Sequence, residues 1–275
     1  MKRVIFSLIV LCATCGTAQQ TVTIRGRVVD EEGNAVEYAT IGIPGTRQGT
    51  LTDNNGSFTF KTDTTGNDTL LISHVSYEEL RLAVKDIALN ADITVTPKRL
   101  NEVTVFCGKK KKAKLAGRGM RVPGGTTMWT TANVGCEIGS LVETERSFEA
   151  DAITFEVRHN SMDGAKLSIN IYRADEENGK FTNMLCKPIY VEIPANEEKQ
   201  EINIKVNGVV IEPGKWFVAL KLVDYRKEGT KEGEETGNIF FPLYLKSSYT
   251  RSGIMEELES IPVNMGLKIT GYEYR

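Results

Sequence analysis

TVTIRGRVVDEEGNAVEYATIGIPGTRQGTLTDNNGSFTF, residues 21–60, decides how the rest of the chain is read. Val22, Ile24 and Val28 alternate with Thr23, Arg25 and Arg27, the period of a half-buried strand. Asp30-Glu31-Glu32-Gly33 has turn chemistry, because aspartate bonds its own backbone and glycine accepts positive φ. A second strand over Ala39–Ile43 stops at Pro44-Gly45. Asp53-Asn54-Asn55-Gly56, between Thr50–Thr52 and Ser57–Lys61, reads as a hairpin turn. Phe58 and Phe60 share one face, the core side. The stretch is a small antiparallel β-domain.

Working outward, a set of residues fits one known pattern: Gly26, Asp30, Gly33, Ala39, Gly45-Thr46, Gly49-Thr50, Thr52-Asp53, Gly56 and Phe58. Leu70, Ser73, Val75 and Tyr77 follow, and then Leu100-Asn101-Glu102-Val103-Thr104-Val105. Together they resemble the carboxypeptidase-like regulatory domain over about residues 21–106. The resemblance implies a seven-stranded prealbumin-like sandwich. One departure is Ser76, where that family usually has glycine. The resemblance also implies an accessory role. In peptidases this domain accompanies a zinc-dependent catalytic domain, and in Bacteroidetes-type bacteria it is similar to the N-terminal extension of TonB-dependent outer-membrane receptors. Neither a peptidase domain nor a plug with a large barrel is legible in this sequence.

Residues 1–18 read as a secretory signal: Lys2-Arg3, an apolar run Val4–Ala13 too short to span a bilayer, and Gly16-Thr17-Ala18 before Gln19. Cys15 offers a lipidation site as the alternative. The expectation is an exported protein, periplasmic or outer-membrane associated. With 34 Lys and Arg against 36 Asp and Glu, global charge gives no reason to expect nucleic acid as a partner. Cleavage at Ala18 would leave Cys107, Cys136 and Cys186, an odd number without C-x-x-C spacing, so idle thiols are favoured over a disulfide or zinc.

The regulatory-like domain is expected over residues 19–107, and a basic linker over 108–121. In that linker Lys109, Lys110, Lys111, Lys112 and Lys114 form a like-charged block that self-repels and stays extended. The same five lysines are candidates for contact with an anionic lipid surface. Residues 122–275 form the second domain. There Leu167, Ile169 and Ile171 alternate with Ser168, Asn170 and Tyr172, and Ile202, Ile204 and Val206 alternate with Asn203, Lys205 and Asn207. Trp216, Val218, Leu220 and Leu222 take one face of a strand whose other face carries Phe217, Ala219 and Lys221. The fold class is therefore all-β, with the prealbumin-like sandwich followed by a jelly-roll-like β-sandwich. Only Ile254–Ser260 looks helical, with Ile254 and Leu258 four apart.

Catalytic chemistry is hard to assemble from these residues. His74 and His159 are the two histidines, in different domains, without H-x-x-E or H-E-x-x-H spacing and outside any G-x-S-x-G context. His74 reads as a hydrogen-bonded structural residue. Glu137, Glu143, Glu145, Glu149, Asp151 and Glu156 cluster in sequence and are the carboxylates to check for a glycosidase-like pair. No cofactor or metal site is expected, and the chain is expected not to be an enzyme. Among the aromatics, Trp216 belongs to the core by its face, whereas Trp129, Tyr172 and Tyr249 are the candidate ligand-binding residues, Trp129 as the more exposed of the two tryptophans. The sequence thus points to a non-catalytic envelope protein acting in binding, assembly or envelope organisation. Its expected partner is an envelope protein or a glycan, with an outer-membrane lipid surface as a further candidate. The alternatives are a glycan-binding module using the C-terminal aromatics and an accessory component of a TonB-dependent uptake system.

Overall fold

The alternation in residues 21–29 is realised as β1 (Thr21–Val29), which turns Ile24 and Val28 inward. The computed structural model describes residues 21–63, 68–87, 90–99, 108–175, 179–226 and 237–274. The leader, Cys107 and the segment Leu100–Val105 lie outside the described residues. After β1 come β2 (Thr40–Gly42), β3 (Gly49–Leu51), β4 (Ser57–Asp63), β5 (Thr69–His74), β6 (Tyr77–Ala83) and β7 (Ala91–Thr94). They form two sheets, β4-β1-β7 and β3-β2-β5-β6. Within the first, β1 runs antiparallel to β4, placing Ile24 opposite Phe60, and parallel to β7. The sheets bury Ile24, Val28, Ile41, Phe58, Phe60, Leu70 and Ile72 between them. Gly26 is required at its position, since a Cβ there would lie 2.8 Å from Ala91 O and 3.1 Å from the Phe58 ring.

The turn at Asp53 forms as expected: Asp53 Oδ1 accepts from the amides of Asn55 and Ser57, and Gly56 has φ +75°. It is not a hairpin turn, however. β3 pairs with β2 and β4 with β1, so the turn carries the chain from one sheet to the other. Ser76 is absent from the residues with positive φ, so this backbone has no need of the glycine usual in the family.

The second part contains β8 (Lys110–Ala116), β9 (Met120–Thr130), β10 (Glu137–Thr144), β11 (Phe148–Val157), β12 (His159–Asn160), β13 (Ala165–Asp175) and β14 (Lys180–Asn183). β15 (Ile189–Ile193), β16 (Gln200–Ile211), β17 (Gly214–Asp224), β18 (Asn238–Arg251), β19 (Glu259–Asn264) and β20 (Lys268–Tyr274) complete it. A large sheet runs β12-β18-β10-β17-β13-β14, with β15 on β13 and with β9 and β19 on β18; the smaller sheet is β16-β11-β20-β8. One apolar core joins their inner faces, centred on Phe155, Leu167, Ile169, Trp216, Val218, Leu220 and Phe241. Sheet against sheet around such a core is a β-sandwich, and the chain is all-β.

Two expectations are corrected here. The basic segment is not a free linker: Lys110–Ala116 is the edge strand β8, paired along its length with β20, and Met120 already opens β9. Ala113 and Leu115 lean on the core while the lysines stay exposed, so a period of two underlies the charge run. Lysines on a sheet edge also discourage pairing with another chain. Nor is Ile254–Ser260 helical; it is a loop running into β19. Ile254 and Met255 in it face Gly49 and Gly42 of the first domain.

Candidate functional site

The outer face of the large sheet carries a polar row in register across five strands. Arg251 on β18 lies opposite Glu137 on β10, Glu137 opposite Lys221 on β17, Lys221 opposite Ser168 on β13, and Ser168 opposite Tyr190 on β15. On an uncovered sheet such a row would be solvated. Here the N-terminal domain lies over it, leaving Glu137 3% and Lys221 9% exposed. Charges taken from water need partners. Tyr172 Oη donates to Glu137 Oε2 at 2.8 Å, Arg251 Nε lies 3.7 Å from Glu137 Oε1, and Lys221 Nζ donates to Thr40 Oγ1 of the covering domain at 2.8 Å. Burial pushes the Lys221 ammonium below the ordinary lysine value, with Glu137 opposing it. Burial, then the Glu137 carboxylate, pushes the Tyr172 phenol well above its usual range.

Two further contacts lock the domains together. Tyr38 holds φ +55°, a backbone that bulky side chains rarely adopt. From there its hydroxyl donates to Asp224 Oδ2 at 3.2 Å and accepts from Lys166 Nζ at 3.1 Å, and its ring meets Tyr190 edge-on at 5.1 Å. The loop after β18 is the second anchor. Gly45 N donates to Met255 O at 3.1 Å, and Arg47 pairs with Glu256 at 2.6 Å. Gly42 and Gly49 give the room: a Cβ on Gly42 would overlap Met255 Cγ, and one on Gly49 would come within 2.8 Å of Ile254 Cγ2. Ile254 and Met255 are thus seated on β2 and β3, whereas Leu258 packs against the Tyr172, Phe217 and Ala219 cluster.

Between the domains remains a cleft of about 490 Å³. His74, Val75 and Lys98 line it on one side, and Ser168, Asn170, Tyr172, Phe181 and Lys221 on the other. His74 Nδ1 accepts from the Ser76 amide at 3.2 Å, which puts the proton of the neutral ring on Nε2. That buried Nε2 has no hydrogen-bond partner among the described residues. Burial, then Lys221 and Lys98, lowers the imidazole to about 4, so it is neutral at pH 7.

Of the aromatic candidates, Tyr172 and Tyr249 are brought together and Trp129 is not. Tyr172 stacks on Phe217 at 5.8 Å, and Phe181 meets Tyr249 edge-on at 4.6 Å, a four-ring cluster at the end of the cleft. Trp129, expected to be exposed, is 5% exposed, its ring edge-on to Phe241 at 5.2 Å in the sandwich core. It is next to last in β9, whose other residues are exposed or half-buried. Trp216 is buried, as its face predicts, and donates to Glu212 O.

The carboxylates disperse. Glu137 belongs to the cleft; Glu156 sits on the smaller sheet among Arg158, Lys199 and Arg121 at 2.7, 2.8 and 3.1 Å; Glu143, Glu145 and Asp151 are exposed. Lys109, Lys111, Lys112 and Lys114 are exposed at the β8 edge. Lys110 is paired with Glu149 at 2.7 Å and lies over the rings of Tyr272 and Tyr274. Cys136 and Cys186 are free thiols, and Cys136 donates to Ser252 O at the foot of the anchoring loop. Among the described residues no group of three or more His, Cys, Asp or Glu is placed to hold a metal ion. The cleft residues that the sequence does not single out are Lys221 and Arg251, while His74 has the hydrogen bond expected of a structural histidine and also lines the cleft. The available signal was Lys221, a charge sharing a strand face with Phe217 and Ala219.

Fold and site together define an all-β protein with a small two-sheet domain docked on a larger sandwich and a polar cleft in the seam. Residues 24–105 match the family model of the CarboxypepD_reg-like domain, in agreement with the motif residues of the first domain. No curated protein matches the chain. Solved structures similar to it include a family two carbohydrate esterase from Cellvibrio japonicus, at 11% identity and TM-score 0.23 over 61% of this chain and 36% of that one. A clostridial cysteine protease is similar at 13% identity and TM-score 0.32, over 92% and 71%. The major pilin subunit of Bacillus cereus is similar at 10% identity and TM-score 0.23, over 90% and 69%. The chain spans about a third of the length of the first of these, and likenesses at this level carry nothing about activity.

Proposed function

We propose that this is an exported, non-catalytic protein of the cell envelope that works by binding, its regulatory-like domain serving as one wall of the site. The observation that carries this reading is the buried row Arg251-Glu137-Lys221-Ser168, roofed by Thr40 and bordered by an open cleft. Charges kept in a seam cost stability unless they are paired, and a cleft lined by polar groups and rings is a common form of recognition site. The leader-like residues 1–18 support export to the periplasm or outer membrane. The exposed lysines of β8 suit an anionic membrane surface. Edman sequencing of the mature protein, with fractionation of the envelope, tests the reading. A mature N-terminus at Gln19, or a lipidated Cys15, in an envelope fraction is expected. Full-length protein in the cytoplasm would refute it.

A second reading, glycan binding through C-terminal aromatics, is favoured by the Tyr172, Phe181, Phe217 and Tyr249 cluster next to the cleft. Quenching of tyrosine and tryptophan fluorescence by polysaccharide, abolished in Phe181→Ala, tests it.

A further inference from the structure

We infer that the seam cleft binds an acidic sugar residue, its carboxylate held where Lys221, Lys98 and His74 converge and its ring laid against Phe181 and Tyr172. This deepens the binding reading above and rests on it.

The first ground is a surplus of donors. Lys221 has three N–H donors, and its one hydrogen bond among the described residues goes to Thr40. Lys98 has no ion-pair partner among the described residues, and the His74 Nε2–H is unmatched. The acids that line the cleft have partners of their own. Glu79 faces Arg81 at 3.8 Å, Glu256 faces Arg47, Glu137 is shared by Tyr172, Arg251 and Lys221, and Glu257 acts on Arg251. What remains at this point of the cleft is unused donor capacity on Lys221, Lys98 and His74 Nε2, which a ligand carboxylate can satisfy through charge-assisted bonds.

The second ground is the opposite wall. Asn170 accepts from Asn183 Nδ2 at 2.9 Å, which leaves its own amide N–H groups without a partner among the described residues, and Ser168 is in the same position. Those groups suit sugar hydroxyls. Phe181, half-buried in the cleft lining, offers ring surface for the apolar C–H side of a pyranose, beside the ring of Tyr172, which stacks on Phe217. A volume of about 490 Å³ fits one or two sugar units.

Having two histidines makes the test clean. The full chain is titrated with digalacturonate, with the neutral digalactose and with inorganic phosphate, while the imidazole resonances of His74 and His159 are followed by NMR. Digalacturonate is expected to move His74 and leave His159 in place. It is also expected to raise the His74 titration point from about 4 towards the ordinary value, because an anion offsets Lys221 and Lys98, the cations that face the ring. Digalactose and phosphate are each expected to bind at least about tenfold more weakly, a difference of about 1.4 kcal/mol. Lys98→Met, at a half-exposed position, is expected to cost about tenfold as well, and Lys221→Met, on the facing wall, is expected to cost at least as much. Equal response to the neutral sugar, phosphate as effective as the sugar acid, or no response of His74 would each overturn the inference. None of these results alters where the protein is found in the cell, so the export reading stands or falls separately.

Discussion

Lys221 Nζ and Thr40 Oγ1, 2.8 Å apart, join the two domains through a buried ammonium on one and a threonine hydroxyl on the other. Thr40→Val keeps the shape and removes the acceptor, stranding a charge in the seam. The expected loss is about 1–3 kcal/mol, the penalty for a buried polar group deprived of its partner. Adding Lys221→Met to Thr40→Val should recover most of that loss, because the stranded charge goes too. Urea unfolding of the four proteins in this double-mutant cycle measures the coupling. Additive losses would show that the pair contributes nothing to docking.

Ile254 and Met255 pack where Gly42 and Gly49 leave space, and Arg47 adds an ion pair with Glu256. Replacing both Ile254 and Met255 by alanine removes the apolar part of this anchor, at a cost of about 2–5 kcal/mol for a buried large-to-small change. The expected result is domain undocking without loss of either core: two unfolding transitions in place of one, and faster proteolysis in residues 252–258. A single, uniformly shifted transition would argue against a separable seam.

The alternation of β1, β13 and β17 is legible in the sequence because one face of each strand carries core residues, a period of two that survives any change of partner; the burial of the second face of β13 and β17 comes from what packs on it. Lys221 is visible there as a charge beside Phe217 and Ala219. What covers it is not visible, since Thr40 lies 181 residues away and only long-range docking brings them together. The lysines of β8 mask the inward Ala113 and Leu115, so charge outweighs periodicity. The spacing of Ile254 and Leu258 imitates a helix although Ile254 serves the first domain instead. Trp129 lies in a polar strand and is buried only because that strand ends over the core, a tertiary fact without a local signal.

His74 gives the seam a pH dependence. Its folded value of about 4 lies below the ordinary 6.5, the main cause being burial, followed by Lys221 and Lys98. Lys221 and Lys98 are the charged groups that act on the ring, and the cleft also carries Glu79, Glu137, Arg251, Glu256 and Glu257. Above pH 6.5 the ring is neutral in both states and costs nothing. As pH falls from 6.5 towards 4 the unfolded chain takes up a proton that the folded chain refuses, so stability is lost, by up to about 3 kcal/mol. His74→Asn should flatten that window. Denaturant midpoints at pH 7, 5.5 and 4.5 check it, and an unchanged slope in the variant would exclude His74 as the cause.

Glu156 acts in a lower window and on the other sheet. Its carboxylate is 4% exposed and faces Arg158, Lys199 and Arg121. Burial works to raise it, but the hydrogen bonds from Lys199 and Arg121 prevail and hold it below the usual carboxylate range. A depressed carboxylate contributes stability that is fully present above its unfolded value, about 4.3, and is lost as pH falls through the folded value. Glu156→Gln should therefore destabilise at pH 7 by about 1–3 kcal/mol, less than a fully buried pair because its three cations are partly solvated. The gap should close in acid, where the wild-type carboxylate is protonated and the two side chains become alike. High salt should narrow it less than it narrows an exposed pair such as Arg173 with Glu212, since the carboxylate end is shielded from counter-ions. Urea titrations at pH 7 and pH 3, with and without 1 M salt (~3 Å Debye length), decide it. A Glu156→Gln penalty of equal size at both pH values would mean that the side chain acts by packing and not by charge.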